Sequence, residues 1–381
     1  MDEQPRMRSA TGVVVLESSI SSIEPTGLRY RGIAIDELVT FASYEEVAWL
    51  LLTGSLPSAS ELEQIYDDLA AGAVLPDPVW NSFAGLPAGS LPIARMQAVL
   101  PVLGLYVPAL VTSRELPAPR RAVRLIGAFA ALAGNANRGS SLQAVIAAEG
   151  ANGDKRGVAS IFMSAMNGDS VPAEDVQALE EVLILYADHE LNASTFAGRV
   201  TASTRADLVS SVLAALCALR GPLHGGIDRF VRSMLAAVEH EGVDSALERY
   251  VRSGTPLPGF GHAVYRGMDP RAVLMRDLAR RLAERTGERK FLELTETVEG
   301  VASYRRLPAP NVDLYAVAVY QSLRVPDDLT TLVFATGRMA GWCAHVLEQY
   351  EDNRLIRPRA AYIGPEPHSL SEARSGKSDD A

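Results

Sequence analysis

Cysteine is scarce in this chain: 381 residues contain two, Cys217 and Cys343, each set in apolar sequence. Neither a disulfide framework nor a thiolate zinc cluster is expected, and a reducing, intracellular setting fits. Basic residues are also outnumbered, 36 Lys and Arg against 46 Asp and Glu, for a formal net charge of −10. Such a balance opposes non-specific attraction to nucleic acid or anionic lipid, so neither is expected as a partner, and any anionic ligand must be held by local arginines. No apolar run reads as a membrane span. Pro101 and Pro108 interrupt Met96 to Val111, and Arg338 and His345 sit inside Leu329 to Leu347, so both are expected to be buried helices of a soluble protein. Met1 to Ser9 is polar with mixed charge and lacks the apolar stretch of a secretory signal; the expected location is the cytoplasm.

Several signatures of chemistry are missing as well. There is no Gly-x-Ser-x-Gly elbow, no P-loop and no dinucleotide glycine fingerprint. No two of the six histidines stand three or four residues apart, the spacing of helical zinc sites, so no metal is expected. A fixed-period repeat is absent, and strand-like alternation is confined to short pieces near the start, such as Gly12 to Glu17.

What the chain has in quantity is helical signal. Ser43 and Glu46 form a capping box ahead of Val47, Leu50 and Leu51, with a stop at Gly54. A second helix opens after Pro57 and Ser58, carries Leu62, Ile65, Tyr66 and Leu69, and gives way at Gly72. Further helices are expected from Pro172 to Tyr186, Asp207 to Leu219, Pro270 to about Thr286, Val312 to Leu323, and Asp327 to Tyr350. The fold class is therefore mainly α. Gly134 to Ser141 and Gly150 to Gly157 read as loops or a local hinge, and Glu366 to Ala381 as a loose tail.

Three histidines lie in unusual settings: His189 after an apolar helix, His224 inside Gly221-Pro222-Leu223-His224-Gly225-Gly226, and His262 inside Pro258-Gly259-Phe260-Gly261-His262. A glycine-flanked turn exposes an imidazole to a cleft, where it can donate or accept a proton near neutral pH; the plain alternative is a histidine that caps a turn. Arginines make a second set. Arg266 and Arg271 follow His262, Arg338 interrupts an apolar helix, and Arg357 and Arg359 flank Pro358. Arg354 and Arg359 read as surface residues, whereas Arg338, beside Val333, Phe334, Met339 and Trp342, reads as buried and in need of an anion. Asp313 stands where a loop enters a helix, as either a helix-start carboxylate or a general base. A carboxylate, loop histidines and arginines together suit removal of a proton beside a carbonyl followed by carbon–carbon bond formation.

From Gly27-Leu28-Arg29-Tyr30-Arg31-Gly32 to Arg357-Pro358-Arg359-Ala360-Ala361-Tyr362-Ile363-Gly364 these residues resemble citrate synthase. The ordered set that carries the resemblance is Ala187-Asp188-His189-Glu190-Leu191-Asn192-Ala193-Ser194-Thr195, the His224 loop, Gly259 to Arg266 with Asp269-Pro270-Arg271, Asn311-Val312-Asp313, and Gly341-Trp342-Cys343-Ala344-His345. The resemblance implies a two-domain helical homodimer: residues 1–223 and 325–381 make a large domain and 224–324 a small domain that closes over the substrates. It implies Asp313 as the base, His224 as donor to the thioester oxygen and His262 as donor to the oxaloacetate carbonyl. His189, Arg271 and Arg338 would hold oxaloacetate, Arg357 would reach the partner's site, and Arg266 would approach coenzyme A. No cofactor is implied, since the acyl-CoA is a substrate.

The chain departs from that pattern at Ile227 and Asp228, where the family usually has Ala-Asn, and at Gly337, where it commonly has serine. The Ser90 to Ala98 segment also lacks a His-Pro-Met pattern. Three readings follow: a citrate or 2-methylcitrate synthase, a biosynthetic enzyme condensing another acyl-CoA or 2-oxo acid, and a non-catalytic paralogue that keeps the fold.

Overall fold

In a computed structural model of the chain, side chains of Ser43, Ser58, Asn192, Asp207, Asp269 and Asn311 cap the helices that follow them. The structure describes residues 14–24, 27–87, 89–113, 115–137, 157–168, 171–265 and 267–371. Ser43 accepts the Glu46 amide while Glu46 returns to the Ser43 amide, and Ser58 and Glu61 do the same, so two orphan donors are satisfied at each start. The described helices are α1 Ile35–Phe41, α2 Tyr44–Thr53, α3 Ala59–Ala73, α4 Asp77–Ala84, α5 Pro92–Tyr106, α6 Ala118–Asn135, α7 Val158–Asn167 and α8 Ala173–Tyr186. They continue as α9 Ala193–Ser203, α10 Leu208–Leu219, α11 Ile227–Glu241, α12 Val243–Ser253, α13 Pro270–Thr286, α14 Lys290–Tyr304, α15 Val312–Ser322 and α16 Thr330–Glu351.

The sheet is a small antiparallel meander, β1 Ser21–Glu24, β2 Gly27–Tyr30 and β3 Ile33–Ala34, with Ser21 opposite Tyr30 and Arg29 opposite Ala34. Alternation along β2 buries Leu28 and Tyr30 on one face. Residues 14–17, expected as a strand, form none; Val14 and Val15 stay exposed with no paired neighbour among the described residues. Two glycine expectations also change. Gly72 lies inside α3, where a Cβ would stand 2.0 Å from the Arg124 carbonyl oxygen, so it serves close packing of α3 on α6. Gly134 is the penultimate residue of α6, and residues 138–156 lie outside the described residues.

The 22-residue helix α16 is the axis of the larger group of helices, contacted by α2, α6, α8, α9 and α10. It is apolar nearly all round, the pattern of a helix with no solvent face. Arg338 and His345 are carried on it with 1% exposure each. Helices α11 to α15 pack chiefly on one another, with α13 also touching α8. No helix among the described residues is long and apolar enough to cross a membrane.

Candidate active site

Four segments meet where α8, α9, α13, α15 and α16 come together. The first is the turn between α8 and α9. The Tyr30 hydroxyl shares its one proton between the Ile184 and Asp188 carbonyl oxygens, 3.1 and 3.0 Å away, and accepts the Asp188 amide at 3.2 Å, fixing the chain just before His189. Asp188 is fully buried, accepts the Glu190 amide and faces His345 Nε2 at 3.3 Å. Asn192 then caps α9, accepting the amides of Ser194 and Thr195 at 3.1 Å each.

The cap aims Ser194 at the second segment, the His224 loop. Nε2 of His224 lies 2.8 Å from the Ser194 hydroxyl and 3.3 Å from the Ser194 amide. A backbone amide can only donate, so Nε2 is the acceptor and the neutral ring carries its proton on Nδ1. Trp342 Nε1 donates to the same hydroxyl at 3.1 Å, leaving the serine proton for His224 or for Asn192 Oδ1 at 2.7 Å. The loop folds back on α10 through the Gly225 amide, which donates to the Leu219 carbonyl oxygen at 2.9 Å.

The third and fourth segments, carrying His262 and Asp313, are stitched together. Asn311 donates its amide to Gly259 O at 2.9 Å and its side-chain Nδ2 to Gly261 O at 2.9 Å, while the Gly261 amide reaches Ala309 O at 2.8 Å. Gly259 has φ +80° and lies so near Leu314 that a Cβ would come within 3.0 Å of its Cα, so both the turn and the approach require glycine. Val264 and Tyr265 donate their amides to Nδ1 of His262 at 3.0 and 3.3 Å. His262 therefore holds its proton on Nε2. Asp269 caps α13, accepts both the amide and Nε of Arg271 at 3.0 Å and Nη2 at 2.8 Å, and also accepts the Val312 amide at 3.3 Å.

Electrostatics follow from burial and from two guanidinium groups. Burial, then Arg338, pushes His224 down to about 4; burial, then Arg271, opposed by Asp269, does the same to His262. His189, edge-on to His262 with centroids 4.9 Å apart and 3.3 Å from the Tyr265 hydroxyl, is held well below the ordinary imidazole range by burial, Arg271, Arg338 and His262. All three rings are neutral at pH 7. Asp313 is pushed up to about 7 by burial and by Asp228, against the pull of Arg271 and Arg338. Its amide donates to Asn311 Oδ1 at 3.0 Å, and its carboxylate accepts no hydrogen bond among the described residues.

Arg338 is answered only at a distance, by Asp188. Its Nε donates to the Tyr186 carbonyl oxygen at 2.6 Å and its guanidinium lies 4.8 Å from the Phe334 ring centroid, but no carboxylate is within salt-bridge distance of it among the described residues. Burial lowers it to about 10. Arg271, by contrast, already faces Asp269.

His189, His224, His262, Arg271, Asp313 and Arg338 are thus brought together. Arg357 is not: it is exposed on the extended segment after α16, whose end lies about 20 Å along the helix from Arg338 at 1.5 Å per residue. That segment is tied by the Ile356 amide to Ser203, at the opposite end of α9 from Ser194. Arg354 and Arg359 are exposed, as expected, and Arg266 lies outside the described residues. Ser194, Trp342 and Asp269 are site residues whose roles were not legible in the sequence. The available signals were the Asn192 cap before Ser194 and the cap-then-proline order of Asp269-Pro270. Gly337 receives an explanation unconnected with substrate, since a Cβ there would meet Leu183 O and Tyr186 Cβ at 2.9 Å.

The chain is similar to known proteins along nearly its whole length. The family model "Citrate synthase, C-terminal domain" matches residues 9–359. The chain is 38% identical to citrate synthase 2 of Bacillus subtilis (strain 168) over 362 residues, covering 94% of this chain and 96% of that protein. It is 33% identical to 2-methylcitrate synthase 1 of Corynebacterium glutamicum, covering 97% and 98%. Among solved structures, it superposes with a TM-score of 0.85 and 31% identity on the ternary complex of carboxymethyl coenzyme A and oxaloacetate with citrate synthase from Thermoplasma acidophilum, covering 95% and 98%.

Proposed function

The chain belongs to the citrate synthase family and is a condensing enzyme of the transferase type, and on that premise we propose that it joins acetyl-CoA to oxaloacetate and hydrolyses the thioester to citrate and CoA. The observation that carries this reading is the convergence of two neutral histidine donors and a high-pKa aspartate around Arg338, a buried cation without a carboxylate partner. A dicarboxylate supplies the missing anion.

Asp313 takes a proton from the methyl carbon of the thioester. The C–H electron pair moves into the enolate, whose oxygen accepts the hydrogen bond from His224 Nδ1–H. The enolate carbon then attacks the oxaloacetate carbonyl carbon, whose C=O electron pair moves to oxygen and takes the Nε2 proton of His262; the proton gained by Asp313 balances the one His262 gives up. Water hydrolyses the citryl thioester. Neutral histidines suit both donor roles, because each polarises an oxygen without bringing a further cation beside Arg271 and Arg338.

His189, Arg271 and Arg338 hold the oxaloacetate carboxylates, and Arg266 reaches the coenzyme. Since Asp269 already offsets Arg271, a dianion calls for a further cation. Arg357 of a second copy meets that need in a homodimer, and the exposed Tyr362 and Ile363 on the same arm, 79% and 96% accessible, suit an intersubunit contact. Residues 224–324 act as the small domain, closing on residues 1–223 and 325–381 to keep water from the enol.

The test is release of free CoA from acetyl-CoA and from propionyl-CoA, each with and without oxaloacetate. Oxaloacetate-dependent release that favours acetyl-CoA is expected. A preference for propionyl-CoA would move the enzyme to 2-methylcitrate formation, and release from neither would overturn the reading.

A further inference from the structure

Glu190, the residue after His189, has φ +49°. A left-handed backbone is strained for a residue with a side chain and persists where its surroundings over-determine it. Here they do. The Glu190 amide donates to Ser21 Oγ at 3.0 Å and to Asp188 Oδ2 at 3.1 Å, and Ser21 Oγ donates to the same Asp188 oxygen. The Glu190 carboxylate accepts the Ile23 amide at 2.9 Å. The turn that carries His189 is thus clasped between the Asp188 carboxylate and the edge strand β1.

Behind Asp188 runs a buried hydrogen-bonded chain. His345 Nε2 lies 3.3 Å from Oδ1 and 3.4 Å from Oδ2 of Asp188, and His345 Nδ1 lies 3.0 Å from Arg199 Nη1. A guanidinium nitrogen can only donate, so Nδ1 accepts and the ring's proton sits on Nε2, toward Asp188. Arg199, 4% exposed, is itself held by Glu348, which takes Nη1 and accepts the Ser19 amide, and by Gln349 Oε1, which takes Nε at 3.1 Å. Were packing their whole use, apolar residues would fill these positions on α9 and α16 at a smaller desolvation cost.

We propose that Arg199 and His345 are positioning residues for the 2-oxo acid: Arg199 fixes the His345 tautomer, His345 anchors Asp188, and Asp188 with Ser21 holds the strained Glu190 that sets His189 in the site. The proposal rests on the reading of His189 as a ligand of oxaloacetate. With the anchor removed, Glu190 relaxes toward an ordinary backbone and His189 moves with it. His224 and Asp313 stand on other segments, so the defect falls on the oxo acid and spares the acyl-CoA.

The experiment compares the full-length enzyme with His345→Asn, His345→Gln, Ser21→Ala and His189→Gln, by calorimetric titration with oxaloacetate and by steady-state CoA release. His345→Asn keeps an acceptor for Arg199 but loses the donor to Asp188. It is expected to weaken oxaloacetate binding about 10-fold, the loss of a hydrogen bond to a charged group, with KM for acetyl-CoA unchanged at saturating oxaloacetate. His345→Gln places an amide nitrogen near the position of Nε2 and is expected to bind within about 3-fold of the unmodified enzyme. Ser21→Ala, on the edge strand, opens the same clasp, is expected to weaken oxaloacetate selectively, and decides the matter should His345→Asn fail to fold. Normal oxaloacetate binding in Ser21→Ala or in folded His345→Asn overturns the proposal. So do equal losses for both substrates, or a loss in His345→Gln as large as in His345→Asn, which mark a packing role. His189→Gln separates the premise: weakened binding there leaves the His189 reading standing whatever the other variants do, and normal binding there removes both.

Discussion

Val264 donates its backbone amide to Nδ1 of His262 at 3.0 Å, and this contact decides what the ring can do. A neutral imidazole with Nδ1 committed as acceptor has one proton, on Nε2. Ser194 performs the same service for His224 from the other side, with its amide at 3.3 Å and its hydroxyl at 2.8 Å from Nε2. Two loops thus present two neutral N–H donors of opposite tautomer, as the proposed polarisation of two oxygens requires.

Replacing Arg338 separates function from stability. Arg338→Met is expected to weaken oxaloacetate binding by about 100-fold or more, the loss seen when one partner of a buried charge pair is removed. The unliganded protein should lose little stability, because the buried cation has no carboxylate at salt-bridge distance among the described residues and Asp188, which it helps to keep ionised, still faces His345. Calorimetric titration and thermal denaturation check the two halves; unchanged affinity would show that Arg338 answers something other than substrate.

His262 predicts a pH effect on stability. Its native value of about 4 lies below the ordinary 6.5, so the unfolded chain binds the extra proton between them. The stability this group contributes is full above about pH 6.5 and is lost as pH falls through about 4. His262→Gln should lose less stability than the unmodified protein between pH 7 and 5, measured by urea denaturation. An equal loss would place the ring in solvent.

Glu45 works in the opposite sense. Burial, then Glu180, raises it to about 8 from 4.5, although it accepts the Val158 amide at 2.8 Å. Its stabilising contribution is present below about pH 4.5 and is lost as pH rises through about 8. Glu45→Gln, which mimics the protonated acid, should melt a few degrees above the unmodified protein at pH 8.5 and with it at pH 5. A lower melting temperature at pH 8.5 would contradict the assignment.

Gly337→Ser tests whether that position bears on substrate choice. Its Cβ must displace Leu183 or Tyr186, costing about 1–3 kcal/mol of stability. The ratio of acetyl-CoA to propionyl-CoA activity should stay the same. A changed ratio would show that Gly337 bears on the acyl group.

Much of this was legible in order along the chain. Ser43–Glu46 and Asp207 announce their helices because a cap is a contact between residues three apart, and Arg338 announces its burial by its apolar neighbours. Gly72 and Gly134 misread as breaks for the converse reason: each is required by a carbonyl oxygen of another helix, Arg124 O and Phe162 O, which no local pattern reveals.

The sequence by itself determined the mainly α fold, the family and the residue types available for acid–base and carboxylate chemistry, since periodicity, caps and ordered motifs are local properties. Only the tertiary structure decided how those residues are set to work. Ser194 meets His224 across 30 positions and Arg338 meets Tyr186 across 152; tautomer, charge balance and the raised pKa of Asp313 all depend on such meetings. They arise when helices pack and exclude water, which makes one hydrogen bond or one unpaired charge count for far more than it would in an extended chain.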